Sequence, residues 1–163
     1  LENSGADFLI MPCNTAHYFI DEIKRCVNIP FVNMLEETVK HTYDKYGKDT
    51  VVGLMATDGT IKSKIYENYY AKLGIKTVTP VETQEKIMKF IYDVIKKGNY
   101  NEGTDLLFEC ADELKKLGAT AFLLGCTELS SAQYLYKFEG NYINPMEVLA
   151  EQAIIYAGGQ LNI

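Results

Sequence analysis

Nowhere in this chain does an apolar run approach the roughly 18 residues a bilayer crossing needs, so no membrane span is expected. Its Lys and Arg side chains do not gather into a basic stripe. Sixteen of them stand against 22 Asp and Glu over 163 residues, a net charge of −6. A nucleic-acid surface normally needs such a stripe, and that class of partner is not expected either. The four cysteines form no CxxC pair, which removes the usual mark of a structural zinc site, and no metal is expected. No glycine-rich phosphate fingerprint follows a strand, so nothing calls for a nicotinamide or pyridoxal phosphate. The opening Leu1-Glu2-Asn3-Ser4-Gly5-Ala6-Asp7 has no positive leader, apolar signal core or initiating Met, and reads as the continuation of something longer.

What is present is an ordinary globular composition, 47% hydrophobic, ample for a packed core. Four cysteines without a disulfide framework, in an acidic chain, point to reduced thiols and a cytoplasmic setting. Short apolar runs alternate with amphipathic stretches from end to end. Strands are expected at Phe8–Met11, Ile29–Val32, Val51–Met55, Lys76–Val81, Ala121–Leu124 and Tyr142–Ile143. Helices are expected over Thr15–Val27, Glu36–Tyr46, the Ile61–Leu73 stretch with Asp58 or Thr60 as cap, Gln84–Lys97, Glu102–Leu117 and Met146–Tyr156. The segment between Cys126 and Tyr142 reads as turn-rich. Strands alternating with helices of this length imply an α/β fold built on parallel sheet. The twelve tyrosines fall mostly at helical spacing, which suits packing better than base stacking.

One pattern occurs twice. Leu9-Ile10-Met11-Pro12-Cys13-Asn14-Thr15 and Phe122-Leu123-Leu124-Gly125-Cys126-Thr127-Glu128 each run from an apolar strand through a turn residue to a cysteine and small polar residues. Ligands of open α/β sheets bind past the carboxyl ends of strands, where both cysteines would sit. A thiol at a helix start meets unpaired N–H groups, which should lower its pKa toward neutrality. Two such thiols facing one small substrate suit proton transfer at carbon, one removing a proton and the other delivering one to the opposite face. Asn14, Thr15 and Thr127 supply donors for a carboxylate. Cys26 and Cys110 lack polar company and read as structural.

The segments Pro12-Cys13-Asn14-Thr15-Ala16-His17, Ala56-Thr57-Asp58-Gly59-Thr60, Gly125-Cys126-Thr127-Glu128-Leu129 and Asn144-Pro145-Met146-Glu147, in that order, resemble the signatures of the aspartate/glutamate racemase family. The resemblance extends through nearly the whole chain. It implies two similar open parallel-sheet lobes with helices on both faces and an active-site cleft between them. Residues 1–47 with 145–163 would form the first lobe and 48–144 the second. It implies a cofactor-independent amino-acid racemase interconverting L- and D-aspartate, or glutamate, with Cys13 and Cys126 as the acid–base pair. Asn14, Thr15, Ala16, Thr57 and Thr127 would surround the substrate, with Lys96, preferred over Lys97, facing a carboxylate. Glu128 stands where glutamate racemases usually carry a His, and His17 follows the first motif, both leaning toward the aspartate branch. His17 could tune the Cys13 thiolate or cap helix contacts. Glu128 could orient Cys126, bind the amine or favour a helix N-terminus.

A homodimer is implied by resemblance alone. Other members isomerise maleate, decarboxylate arylmalonates or racemise hydantoins, which leaves a related isomerase or decarboxylase as the alternative. Full-length members also begin with a glycine-rich strand–turn–helix and a further strand that this sequence lacks. The first lobe is therefore expected to be incomplete, with an exposed sheet edge that favours self-association. A catalytically silent binding or oligomerising module is the non-enzymatic alternative.

Overall fold

The computed structural model describes residues 1–161; Asn162 and Ile163, the last two positions of the expected first lobe, lie outside the described residues. The chain folds as an α/β protein whose strands all pair in parallel. Strand β1 (Leu9–Ile10) leads through a 3₁₀ segment (Thr15–Phe19) into α1 (Ile20–Arg25), then β2 (Phe31–Val32) and α2 (Met34–Tyr46). Next come β3 (Val51–Ala56), α3 (Asp58–Ser63), α4 (Ile65–Lys72), β4 (Lys76–Val78) and α5 (Gln84–Lys89), which runs on into a π-helical segment (Phe90–Ile95). The chain closes with α6 (Thr104–Lys116), β5 (Ala121–Gly125), α7 (Thr127–Tyr136), β6 (Tyr142–Ile143) and α8 (Pro145–Tyr156).

Two sheets result. One holds β1 and β2, in the register Leu9 to Phe31 and Ile10 to Val32. The other has the order β4-β3-β5-β6, with Ala56 level with Gly125 at the carboxyl ends of its two central strands. Chain order reverses between β3 and β5, which makes the space past those ends the natural ligand crevice.

Alternation along the central strands feeds two cores, because successive side chains leave opposite faces of a sheet. Phe122 and Leu124 join Met55, Phe90, Ile91, Leu107 and Leu114 on one face. Ala121 and Leu123 join Val52, Leu54, Tyr66 and Tyr70 on the other. With both faces covered, β3 and β5 read as continuous apolar runs. The second core also takes in Val32, Met34 and Leu35, and Leu149 of α8, so β2, α2 and α8 pack against the four-stranded sheet. Two helices start alike: the side chains of Asn33 and Asn144 accept backbone N–H bonds from Leu35 and Glu36 and from Met146 and Glu147, satisfying first-turn donors.

Several expectations need correction. The segment after Cys126 is a helix rather than a run of turns. Only Leu129, Ser130 and Ala132 of α7 are buried, so its sequence carries no broad apolar stripe to announce it. The helix expected through residue 73 is broken at Lys64, which adopts a left-handed φ of 53° with no glycine to signal it. The cap of α3 is Thr57, whose hydroxyl accepts from the Thr60 N–H, rather than Asp58 or Thr60. The first expected helix begins as a 3₁₀ turn and ends at Arg25. Helix Gln84–Lys97 changes to π winding after Lys89, where buried Phe90, Ile91, Val94 and Ile95 keep an apolar pattern that also fits an α-helix.

Candidate active site

The turn after β1 is tight: the Cys13 N–H donates back to the Met11 carbonyl across 2.9 Å, around Pro12. This leaves the Cys13 thiol exposed. One residue on, Asn14 turns inward and is 2% exposed. On the other side, Gly125 ends β5 and Cys126, in extended conformation, is the N-cap of α7. The glycine is required there, since a Cβ would come within 2.9 Å of the Ala56 Cβ and 3.2 Å of the Met55 carbonyl oxygen.

Both cysteines line one cavity of about 350 Å³. Asn14 and Thr15 line it from the first segment, Thr57 and Gly59 from the end of β3, and Thr127 and Glu128 from the start of α7. Met88, Tyr92 and Lys96 close it from α5 and the π-helical segment. Ala16 lies on the 3₁₀ turn but outside this lining, a departure from the sequence expectation. Lys96 and Lys97 part company at the segment's end. Lys96 Nζ stands 3.5 Å from Glu128 and 4.2 Å from the Tyr92 ring centre, whereas Lys97 pairs with Asp93 on the outer surface.

Three hydroxyls tie the halves of the site together. Thr15 Oγ1 lies 2.8 Å from that of Thr60 and 3.2 Å from that of Thr57, and Thr57 and Thr60 are 3.2 Å apart. Thr60 is buried beneath the other two and joins the site through them.

The electrostatics at Cys126 reverse the sequence expectation. Its thiol is buried and donates to a Glu128 carboxylate oxygen at 2.8 Å. Burial, then the hydrogen bond and the negative charge of Glu128, push its pKa up to about 12, although Lys96 pulls the other way. A helix start cannot hold a thiolate that is desolvated beside a carboxylate. Burial also pushes Glu128 up, but the Cys126 thiol, its own backbone N–H, the Thr127 hydroxyl and Lys96 together leave it below its ordinary value. Cys126 therefore rests as a thiol and Glu128 as a carboxylate.

Among the described residues, His17 directs its hydrogen bonds to backbone groups and not to a thiol sulfur. It is 2% exposed, with Nδ1 at 2.7 Å from the Cys13 carbonyl oxygen and Nε2 accepting the Met34 N–H at 3.3 Å. Those partners fix the neutral tautomer with the proton on Nδ1. Burial is the largest influence on its pKa and pushes it below the ordinary value. The imidazole thus clamps the Cys13 backbone to the start of α2. Cys110 lies buried in α6, its pKa raised by burial to about 12, and Cys26 is exposed at the end of α1, outside the cavity.

Sequence reasoning passed over Gly59, Met88 and Tyr92 in the cavity wall, and the buried Tyr66 behind Asn14. Gly59 lay inside a quoted motif and could have been named; the others carried no local signal. Among the described residues, no group of three or more His, Cys, Asp or Glu side chains could hold a metal ion, and no helix is long and apolar enough to cross a membrane.

A pair of cysteines flanking a polar cavity past the ends of parallel strands places the chain among α/β proteins with a thiol-lined crevice. The chain belongs to the Asp/Glu/hydantoin racemase family, whose profile matches residues 1–153. It is 29% identical over 154 residues to the broad specificity amino-acid racemase RacX of Bacillus subtilis, a match covering 94% of this chain and 66% of that protein. Picrophilus torridus aspartate racemase has a similar structure, with a TM-score of 0.84 at 28% identity over 99% of this chain and 67% of that one. An aspartate racemase homologue from Pyrococcus horikoshii, at 22% identity and a TM-score of 0.80, shares the fold over 96% of this chain and 69% of its own. The chain thus spans about two thirds of the length of these relatives.

Proposed function

We propose that this chain carries the reaction centre of a cofactor-independent amino-acid racemase that interconverts L- and D-aspartate through Cys13 and Cys126. The observation that carries the reading is that both thiols line the same small cavity, one exposed and one buried against Glu128.

In the reaction, Cys13 as thiolate takes the Cα proton and becomes a thiol. Cys126, already a thiol, gives its proton to the opposite face of the resulting carbanion and becomes a thiolate. Return of the enzyme to its starting form exchanges those protons through solvent, and the reverse sequence racemises the other enantiomer. Asn14, Thr15, Thr57 and Thr127 offer donors to the substrate carboxylates, and Lys96 offers a positive charge. Glu128 keeps Cys126 protonated and lies within reach of a substrate ammonium. The cytoplasmic setting is supported by four free cysteines. A homodimer, and the division into lobes of residues 1–47 with 145–163 and residues 48–144, belong to the same proposal.

A second reading widens the substrate range. Lys96 is the one cationic side chain in the described cavity wall, and it already faces Glu128, which favours recognition of one carboxylate over two. The relative RacX is named for broad specificity.

The test is chiral chromatography of L-aspartate, and then of a panel of other L-amino acids, incubated with the protein without added cofactor. Cys13→Ser and Cys126→Ser should each slow racemisation by about 10²–10⁴, the usual contribution of a general acid or base. Cysteine variants that turn over like the parent would sink the two-thiol mechanism. Turnover confined to the wider panel would replace aspartate with the broad reading. Isotope from deuterated solvent should appear at Cα of recovered substrate, whereas a decarboxylase would release carbon dioxide.

A further inference from the structure

Behind the cavity wall, Tyr66 of α4 reaches a site residue 52 positions away in sequence. Its hydroxyl donates to Asn14 Oδ1 at 2.5 Å. Both residues are buried, and the Tyr66 ring stacks on Tyr70, with ring centres 6.1 Å apart. Tyr70 is held in turn by a 3.0 Å hydroxyl contact with Thr42 of α2. The phenol therefore rests on a packed aromatic pair and has little freedom to turn away.

A carboxamide has two distinguishable ends, an acceptor oxygen and a donor NH₂, and rotation by half a turn exchanges them. With Oδ1 engaged by Tyr66, the NH₂ end has one direction left. Asn14 Nδ2 is buried, has no acceptor among the described residues and belongs to a residue that lines the thiol cavity. A buried donor without an acceptor is unfavourable unless a ligand satisfies it. A carboxylate entering the cavity supplies the missing acceptor.

We propose that Tyr66 is a positioning residue: its hydroxyl locks the Asn14 carboxamide so that Nδ2 is reserved for a substrate carboxylate beside Cys13. The inference rests on the racemase reading for the identity of that carboxylate, but the Tyr66–Asn14 bond stands apart from it. Burial keeps the Tyr66 phenol protonated to very high pH, so the lock holds wherever the enzyme is folded. Without the hydroxyl, Asn14 can present either end, and one of the two repels a carboxylate.

The test is Tyr66→Phe, which keeps the ring and its stacking, studied alone and combined with Asn14→Ala. A carboxylate contact that is equal in ground and transition states affects binding more than chemistry. Tyr66→Phe should therefore raise KM for L-aspartate by about tenfold, the scale of one hydrogen bond to a charged group, with kcat nearly unchanged. In the Asn14→Ala background the same change should add almost nothing, because the group it orients is gone. A wild-type KM in Tyr66→Phe, or effects that multiply in the double variant, would overturn the proposal. If the chain proves inactive on every amino acid, the racemase reading fails by itself and the lock is still decided by proton NMR. The Tyr66 hydroxyl proton should be slowly exchanging and shifted downfield, and Asn14→Ala should abolish that signature. A hydroxyl resonance unmoved by Asn14→Ala would show that the bond is absent.

Discussion

The Cys126 thiol and the Glu128 carboxylate share a 2.8 Å hydrogen bond two residues apart at the start of one helix. The contact helps explain why a thiol beside helix N–H groups is not acidified: burial, and then the hydrogen bond and negative charge of Glu128, outweigh the helix end. Removing the charge alone isolates its part. Glu128→Gln should bring the Cys126 pKa down from about 12, since both the hydrogen bond and the charge favour the thiol, while burial keeps it above the ordinary cysteine value. Ultraviolet thiolate absorbance against pH reads this directly. No shift in the variant would mean that burial alone sets the thiol.

His17 offers a test at mildly acidic pH. Its folded pKa lies below 6.5, so the stabilisation carried by the neutral ring is present above pH 6.5 and lost as pH falls through the folded value. The added proton lands on Nε2, where the Met34 N–H now donates. Proton NMR titration should find His17 titrating below the ordinary imidazole value of 6.5, with resonances of Cys13 and Met34 moving in step. A His17 that titrates at or above 6.5 would contradict the clamp.

Glu113 anchors the loop before α5. Its carboxylate accepts the N–H groups of Val81, Glu82 and Thr83 and the Thr83 hydroxyl. Burial alone would push this acid up, but those bonds outweigh it and hold the pKa at about 2 against an ordinary 4.5. The folded value is the lower one, so the stabilisation is complete above about pH 4.5 and drains away as pH falls toward 2. Glu113→Gln should lower unfolding free energy at neutral pH by about 1–2 kcal/mol, with solvent screening taken into account, and flatten the acid limb of stability. Denaturant melts at several pH values check both effects.

Gly125 is a steric requirement of the site. Gly125→Ala sets a methyl against Ala56 and the Met55 carbonyl where β3 and β5 are level. Overpacking of this kind costs about 1–3 kcal/mol, and the strain should displace Cys126 next to it. Thermal melts should show the loss of stability, and the proposed racemisation should fall further than the melts alone explain. A variant as stable and as active as the parent would show that the sheet yields easily there.

The two cysteines were legible from sequence because their signal is local: an apolar strand, a turn residue and a thiol occupy consecutive positions. Alternation and helical spacing likewise disclosed seven of the eight α-helices among the described residues, whole or in part, since burial of one face leaves a periodic trace. Helix α7 left no such trace because so few of its side chains are buried, and the break at Lys64 was silent because no glycine or proline marks it.

By itself, the sequence determined the α/β class, the parallel sheet and the placing of both thiols past strand ends, all consequences of short-range patterning. Only the tertiary structure decided that Glu128 would hold the Cys126 proton, that Lys96 would face the cavity while Lys97 met Asp93, and that Tyr66 would meet Asn14. Side-chain partners and pKa values depend on distance and burial, and residues far apart in sequence acquire both only when the core closes around them.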